Sequence, residues 1–305
     1  MGIVVFGSIN VDITVYGQRL PGPGETVHGD RSAIALGGKG CNQAVAVARL
    51  GGQVKLVGRL GEDAFGALAR RELAAFGVPD TYVAHDPVNA TGIAVIGVDA
   101  RGENCISIVG GANLSIDESD VDAQRGVFKE TDILLVQLEI PQPAMCHAAK
   151  AVRASGGRVI LDPAPAPDHE HDLNALLAVA DIITPNESET EALTGIRPAT
   201  PDQAEQAAAV FHAKGVACAV IKMGAAGVYY SSGDERGFVP PFTVQAVDSV
   251  AAGDCFNGGL AYALARGDGL GQAVRFAAAC GALATTKSGA SASAPNLAAV
   301  QRLLT

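Results

Sequence analysis

An alternation restricts this chain more than any other feature. Short runs of Val, Ile and Leu recur along its 305 residues, separated by longer stretches with helical spacing. The runs are GIVVFG (2–7), VKLVGRLG (54–61), DILLVQLE (132–139), RVILD (158–162), DIITP (181–185) and CAVIKMG (218–224). None alternates cleanly between apolar and polar positions, which is the pattern of a strand covered on both faces. Helical spacing fills 40–50, 64–76, 117–129, 143–155, 187–194 and 202–213. Asp63 and Asp117 stand where helix N-caps belong, and Gly77 and Gly215 stand just past helix ends. Such alternation predicts an α/β fold, a central and mostly parallel sheet with helices on both faces.

Two segments break the rhythm. Residues 10–36 are strand-like pieces joined by Pro/Gly turns, and residues 91–109 read as a hairpin around DARGEN (99–104). Neither has a helix partner, so both are expected to form a small second β-sheet. Such a sheet can close over a ligand as a lid. Its unpaired strand edges need covering, which predicts a homodimer through the lid. No internal repeat, low-complexity tract or linker interrupts the chain, so 1–305 read as one domain with a lid.

Composition removes several function classes. Net charge is −10 and Lys and Arg never cluster, which argues against nucleic acid as a partner. No apolar run reaches the roughly 20 residues that span a bilayer, and the opening MGIVVFGSINVD lacks the basic flank of a signal peptide. None of the six cysteines lies in a CxxC pair, so a reduced, cytoplasmic thiol set is expected, with no membrane partner. An acidic chain can still hold a phosphorylated ligand where backbone amides and a metal ion supply local positive field.

The chemistry concentrates in DSVAAGDCFNGG (248–259). Asp254 follows a run of Ala and Gly and precedes a helix-like stretch over 252–267. An acid there has an ordinary reading as a helix cap. The surroundings favour another. Ala251, Ala252 and Gly253 leave their amides unobstructed, so with the amide of Asp254 they can form an anion cradle at the helix's positive end. A carboxylate beside an anion cradle makes sense when a hydroxyl about to receive a phosphoryl group lies between them. The second block, GGKGCNQAVAVARLGG (37–52), allows close backbone approach through Gly37, Gly38 and Gly40 and presents Lys39 and Asn42 toward sugar hydroxyls. It is neither a P-loop nor a GxGxxG dinucleotide fingerprint.

These blocks, with GSINVD (7–12), PGPGETVHG (21–29), QLEIP (137–141), DPAPAP (162–167) and ITPNESETEALTG (183–195), resemble in order and spacing the ribokinase-like sugar kinases of the phosphofructokinase-B type. The likeness spans the whole chain and is nearest the ribose-specific branch. It implies ATP-dependent phosphorylation of D-ribose at its 5-hydroxyl, with ATP, magnesium and a potassium-type cation as cofactors. By the same resemblance, Asn10, Asp12, Gly38, Lys39, Asn42 and Glu139 would bind the sugar and Asp254 would be the general base. Ala251, Ala252 and Gly253 would form the anion hole. Asn186 would lie near the phosphates and Glu189 would hold a magnesium-bound water. Lys222, Met223, Gly224, Ala225, Ala226 and Gly227 would form the nucleotide loop, with Gly253 at the phosphates and Ala278 at the adenine. Asp248, Val250, Ala284, Lys287, Gly289 and Ser293 would surround the monovalent cation, mostly through carbonyls.

Departures from the family pattern stand at Lys222, often Thr; at Ala278, often larger and polar; and at Cys255, often Thr. Lys222 could add a charge contact to a phosphate, and Cys255 could open a route to oxidation or alkylation. Glu187 and Glu191 read as an acidic helix start, with Glu189 alone pointing inward. HEH (169–171) reads as a solvated loop rather than a metal site. The rivals are kinases for deoxyribose, another sugar or a nucleoside. Outside that class stand an inactive sugar sensor and a nicotinamide oxidoreductase, the latter without its glycine fingerprint.

Overall fold

A computed structural model describes residues 2–167, 172–233 and 235–305. The HEH stretch, 169–171, lies outside the described residues. Among the described residues thirteen strands fall into two sheets. The strands of the large sheet are β1 (Ile3–Phe6), β4 (Val54–Gly61), β5 (Val83–Asp86), β8 (Ile133–Gln137), β9 (Arg158–Asp162), β10 (Ile182–Ile183), β11 (Cys218–Lys222), β12 (Val228–Ser232) and β13 (Glu235–Val239). Their order is β13-β12-β11-β10-β9-β8-β1-β4-β5. All neighbours from β11 to β5 pair in parallel, and only the β11–β12 and β12–β13 pairs are antiparallel.

The absence of apolar–polar alternation in the strands has a direct cause. Ile3 and Val5 of β1 point into one apolar layer with Val45 and Leu260, whereas Val4 and Phe6 point into the opposite layer with Ala148 and Phe211. Helices Lys39–Arg49, Ala252–Ala265 and Leu270–Ala284 lie in the first layer, and Gln142–Ala154 and Pro201–Ala213 in the second. Asp63 and Asp117 cap their helices as expected, and Gly77 and Gly215 follow their helix ends at φ 77° and 93°.

Some expectations need correction. The stretch 117–129 forms two short helices, Glu118–Ala123 and Arg125–Lys129. A capping box between Asp117 and Asp120 starts the first, and Gln124 leaves helical geometry at φ −106°, ψ 21°. The helix expected over 252–267 ends at Ala265, just before Gly267 at φ 92°.

The second sheet contains β2 (Asn10–Tyr16), β3 (Arg31–Gly37), β6 (Gly92–Val98) and β7 (Asn104–Val109), in the order β3-β2-β6-β7. Both segments expected to leave the main sheet therefore pair with each other. Strand β2 continues almost directly from β1, so the two sheets join at residues 7–9. Among the described residues, no helix is long and apolar enough to cross a membrane.

The layers bring the two glycine-rich blocks together. A β-carbon on Gly258 would lie 2.6 Å from that of Ala46, and one on Gly40 would lie 2.6 Å from the Gly7 carbonyl carbon. Only hydrogen at these positions lets helices Lys39–Arg49 and Ala252–Ala265 approach each other and β1. The functional side chains then gather at the carboxyl ends of β8, β9 and β11, where α/β sheets hold their ligands.

Candidate active site

The cap position of helix Ala252–Ala265 is occupied by Ala251, at φ 59° and ψ 9°, not by Asp254. Among the described residues Ala251 is the only non-glycine with positive φ. An L-residue held there stores strain of order 1 kcal/mol, which the surrounding packing sustains. The turn it makes leaves the amides of Ala251, Gly253 and Asp254 without a hydrogen-bond acceptor among the described residues. Ala252 is the exception in the expected cradle, because its N–H donates to the Ser249 carbonyl at 3.2 Å.

Asp254 sits in the first helical turn with 6 % of its surface exposed. Asn42 Nδ2 donates to its Oδ2 at 2.9 Å, and Gln43 Nε2 donates to its Oδ1 at 3.2 Å. Burial pushes its carboxyl pKa up to about 6, opposed by the nearby Lys39 charge and reinforced by Asp162. A carboxylate in that range is still ionised at neutral pH and accepts a proton more readily than an ordinary aspartate.

The expected sugar-binding residues divide into two groups. Asp12 has no hydrogen-bond partner among the described residues, so its oxygens remain open. Burial, with Glu139 as a second cause, pushes its pKa up to about 6. Gly37 flanks it so closely that a β-carbon there would overlap the carboxylate at 2.2 Å. Asn10 is buried, and its Oδ1 accepts from Asn113 Nδ2 at 2.7 Å. The other group also makes contacts within the protein. Glu139 accepts from the Ser8 hydroxyl and from the Lys39 amide at 3.0 Å, anchoring the glycine-rich turn. Gly38 makes that turn at φ 88°, with no room for a β-carbon beside Asn10 N. Asn42 Nδ2 donates to Asp254 with one of its two hydrogens and its Oδ1 accepts from Ser291 Oγ at 2.6 Å, so it orients the expected base and keeps a second N–H for a ligand.

A cavity of 780 Å³ adjoins this cluster, and Lys39 and Asp254 stand in its wall. Of the residues named for the nucleotide, Asn186, Glu189, Lys222, Gly224, Ala225, Gly227, Gly253 and Ala278 line it. Met223 does not, because its side chain is buried in the apolar core, and Ala226 faces solvent. Glu187 also borders the cavity, so Glu189 is not the only inward acid of its helix. Asn186 caps that helix in a reciprocal box: its Oδ1 accepts from Glu189 N at 2.9 Å, and Glu189 Oε2 accepts from Asn186 N at 2.8 Å. Burial raises the Glu189 carboxyl, and the Lys222 charge opposes the rise.

Sequence reasoning missed a buried chain beneath these residues. Gln137 Nε2 donates to Gln43 Oε1 at 2.7 Å, and Gln43 Nε2 donates to both Asp254 and Asp162 Oδ2, the latter at 3.0 Å. Lys222 Nζ donates to Asp162 Oδ1 at 3.1 Å. Gln43 adjoins Asn42 and Asp162 opens DPAPAP, yet no spacing rule reveals partners so distant in sequence.

The residues expected around a monovalent cation tie two loops together. Asp248 accepts from Val250 N at 3.0 Å and from Gly289 N at 3.1 Å. The amides of Val247 and Asp248 both donate to Thr285 O, and Lys287 N donates to Ala284 O. Ser293 Oγ turns to Ala290 O at 2.8 Å. Among the described residues no three His, Cys, Asp or Glu side chains gather as a metal site. Magnesium suits such a setting, since it keeps several waters and binds phosphates with one or two carboxylates nearby.

Comparison with known proteins gives a consistent result. The pfkB family carbohydrate kinase model matches residues 2–297. The ribokinase of Haemophilus influenzae is 40% identical over 293 residues, covering 96% of this chain and 95% of that protein. A deoxyribokinase of Salmonella typhimurium is 34% identical over 297 residues, covering 97% and 96%. Among solved structures, Arabidopsis thaliana ribokinase complexed with ribose and ATP superposes with a TM-score of 0.90 at 38% identity, covering 99% of this chain and 98% of that one. A putative ribokinase II from E. coli, in complex with ATP and magnesium, gives a TM-score of 0.83 at 26% identity, with coverage of 99% and 98%.

Cys255, next to the expected base, is by sequence a candidate for oxidation or alkylation. It is 1% exposed, and burial followed by the Asp254 charge pushes its thiol up to about 12. Of the six free cysteines only Cys105, on β7, is exposed. Iodoacetamide treatment of the native protein should therefore add one group, at Cys105, and six after unfolding. Peptide mass spectrometry checks this; rapid native labelling of Cys255 would contradict it.

Proposed function

The chain belongs to the pfkB family of carbohydrate kinases, and we propose that it transfers the γ-phosphoryl group of ATP to the 5-hydroxyl of D-ribose. The observation that carries the reading is the position of Asp254. Its buried carboxylate stands in the wall of the 780 Å³ cavity, hydrogen-bonded to Asn42 of the expected sugar-binding set and beside the free amides of its own helix start. The sugar hydroxyl oxygen attacks the γ-phosphorus and its proton passes to Asp254. The bond from that phosphorus to the β–γ bridging oxygen breaks, and its electron pair leaves with ADP. The amides of Ala251, Gly253 and Asp254 donate to the phosphoryl oxygens as charge shifts. Asn42 and Gln43 keep the acceptor aimed, and Asp12 with Asn10 takes sugar hydroxyls from the lid side.

Magnesium, held through its waters by Glu189 near Asn186, would neutralise phosphate charge. A potassium-type ion at Asp248, Val250, Ala284, Lys287, Gly289 and Ser293 would stiffen the loop that carries the amides. The lid exposes Ile34, Ile106 and Ile108, each more than half accessible, and a second copy of the lid is the proposed cover. Six free thiols suit a reducing compartment, and the cytoplasm is the proposed location.

ADP release with D-ribose, 2-deoxyribose, fructose and nucleosides, in potassium and in sodium, tests the reading. D-ribose should give the highest kcat/KM, about tenfold or more above deoxyribose because a missing hydroxyl leaves buried polar groups unpaired. Potassium should raise kcat. Preference for deoxyribose, or no ADP release with any sugar, would overturn the assignment.

The raised carboxyls set the pH dependence. Asp254 must be ionised to take a proton and Asp12 to accept hydroxyl hydrogen bonds, so activity requires both deprotonated. kcat/KM for ribose should level off above about pH 7 and fall as pH drops through about 6. Asp254→Asn should lower kcat by about 1000-fold and leave ATP binding nearly unchanged. A flat profile from pH 5 to 8, or a variant with near-normal kcat, would contradict the base assignment.

A further inference from the structure

Two lysines stand in the cavity wall, and the mechanism above uses only the backbone to meet the migrating phosphoryl group. Lys39 lies among Asp254, Asp162, Glu139 and Glu189, whose charges raise its ammonium despite burial. Lys222 is placed differently. It ends β11, its side chain is 12% exposed, and its ammonium donates to Asp162 Oδ1 at 3.1 Å. The same nitrogen lies 3.5 Å from where a β-carbon on Gly253 would project, so it stands beside a cradle residue whose amide is free.

An ammonium has three donors, and Asp162 is its one hydrogen-bond partner among the described residues. Donors are left over in a cavity where an unmatched one is costly. A lysine–aspartate pair this deeply buried adds little stability over an apolar pair. Asp162 is fixed from its other side, since its Oδ2 accepts from Gln43 Nε2 at 3.0 Å. The tether therefore holds the lysine stem while a second N–H remains available beside Gly253.

We propose that Lys222 is a catalytic residue, whose ammonium, held in place by Asp162, donates a hydrogen bond to a non-bridging oxygen of the γ-phosphoryl group as it crosses from ATP to the sugar. This rests on the ATP-dependent kinase reading above. No proton is transferred: the ammonium keeps all its hydrogens and its charge, and the proton of the sugar hydroxyl still goes to Asp254. The contact places a full positive charge where the amides supply only partial ones. Through Asp162 and Gln43 it also links the phosphate side of the site to the carboxylate of Asp254.

Lys222→Met and Lys222→Gln test this, the second retaining a donor for Asp162 without the charge. Isothermal titration would compare ADP with a non-hydrolysable ATP analogue, beside kcat and KM for ribose and thermal melting. A contact to the γ-phosphoryl group predicts that both variants weaken the analogue about tenfold relative to ADP. It also predicts a fall in kcat of about 100-fold with the KM for ribose nearly constant. A purely structural lysine would weaken both nucleotides equally and lower the melting temperature, and that result, or kcat within threefold of wild type in Lys222→Gln, would overturn the proposal. Should Lys222→Met fail to fold, Lys222→Gln decides alone. Wild-type protein that releases no ADP with any sugar would instead overturn the kinase reading.

Discussion

Removing the Asp254 carboxylate from water is unfavourable, and its neighbours compensate only in part. Asn42 and Gln43 donate to its two oxygens and Lys39 contributes a nearby charge, but burial still dominates and lifts its pKa to about 6. A carboxylate in that condition gains most from a proton, and it sits beside amides that gain most from an anion. The two demands oppose each other until a hydroxyl and a phosphoryl group lie between them. Transfer of the proton one way and the phosphoryl group the other satisfies both at once.

Small residues make that opposition possible. Gly258 against Ala46 and Gly40 against Gly7 let two helices and β1 approach within backbone distance, which brings Asn42 and Gln43 to Asp254. Ala251 then turns the chain through a left-handed conformation, so the amides of Gly253 and Asp254 stay uncapped in residues that line the cavity. A serine or aspartate at that cap would satisfy one of those donors internally and remove it from the ligand. The site is thus built by withholding ordinary helix capping at one helix while Asn186 and Glu189 cap the next in full.

The large sheet was legible because β1 and β10 are apolar throughout and β4, β8, β9 and β11 keep unbroken or nearly unbroken runs of buried Val, Ile and Leu. Strands β5, β12 and β13 were missed because they lie toward the sheet margins and carry His85, Ser231 or Arg236 among their apolar residues. Helix Leu270–Ala284 was missed for the opposite reason: it is mostly apolar and shows little of the polar face that marks an amphipathic helix. At the site, the short blocks around Asp254 and Lys39 were readable because local spacing carries them. What local spacing cannot show is that Asn42 faces Asp254 and that Gln43 joins Asp254 to Asp162, contacts that cross 212 and 119 residues. Asn42 accordingly supports the carboxylate, a role the sequence does not show, and its second N–H stays free for a ligand.

The most direct test of this opposition is a crystal structure with D-ribose, ADP, magnesium and a planar phosphoryl mimic such as aluminium fluoride. The account predicts an Asp254 oxygen within about 3 Å of the ribose 5-hydroxyl, with the amides of Gly253 and Asp254 at similar distance from the mimic on its other side. A complex in which Asp254 turns away from the 5-hydroxyl, or in which the mimic sits clear of those amides, would contradict it.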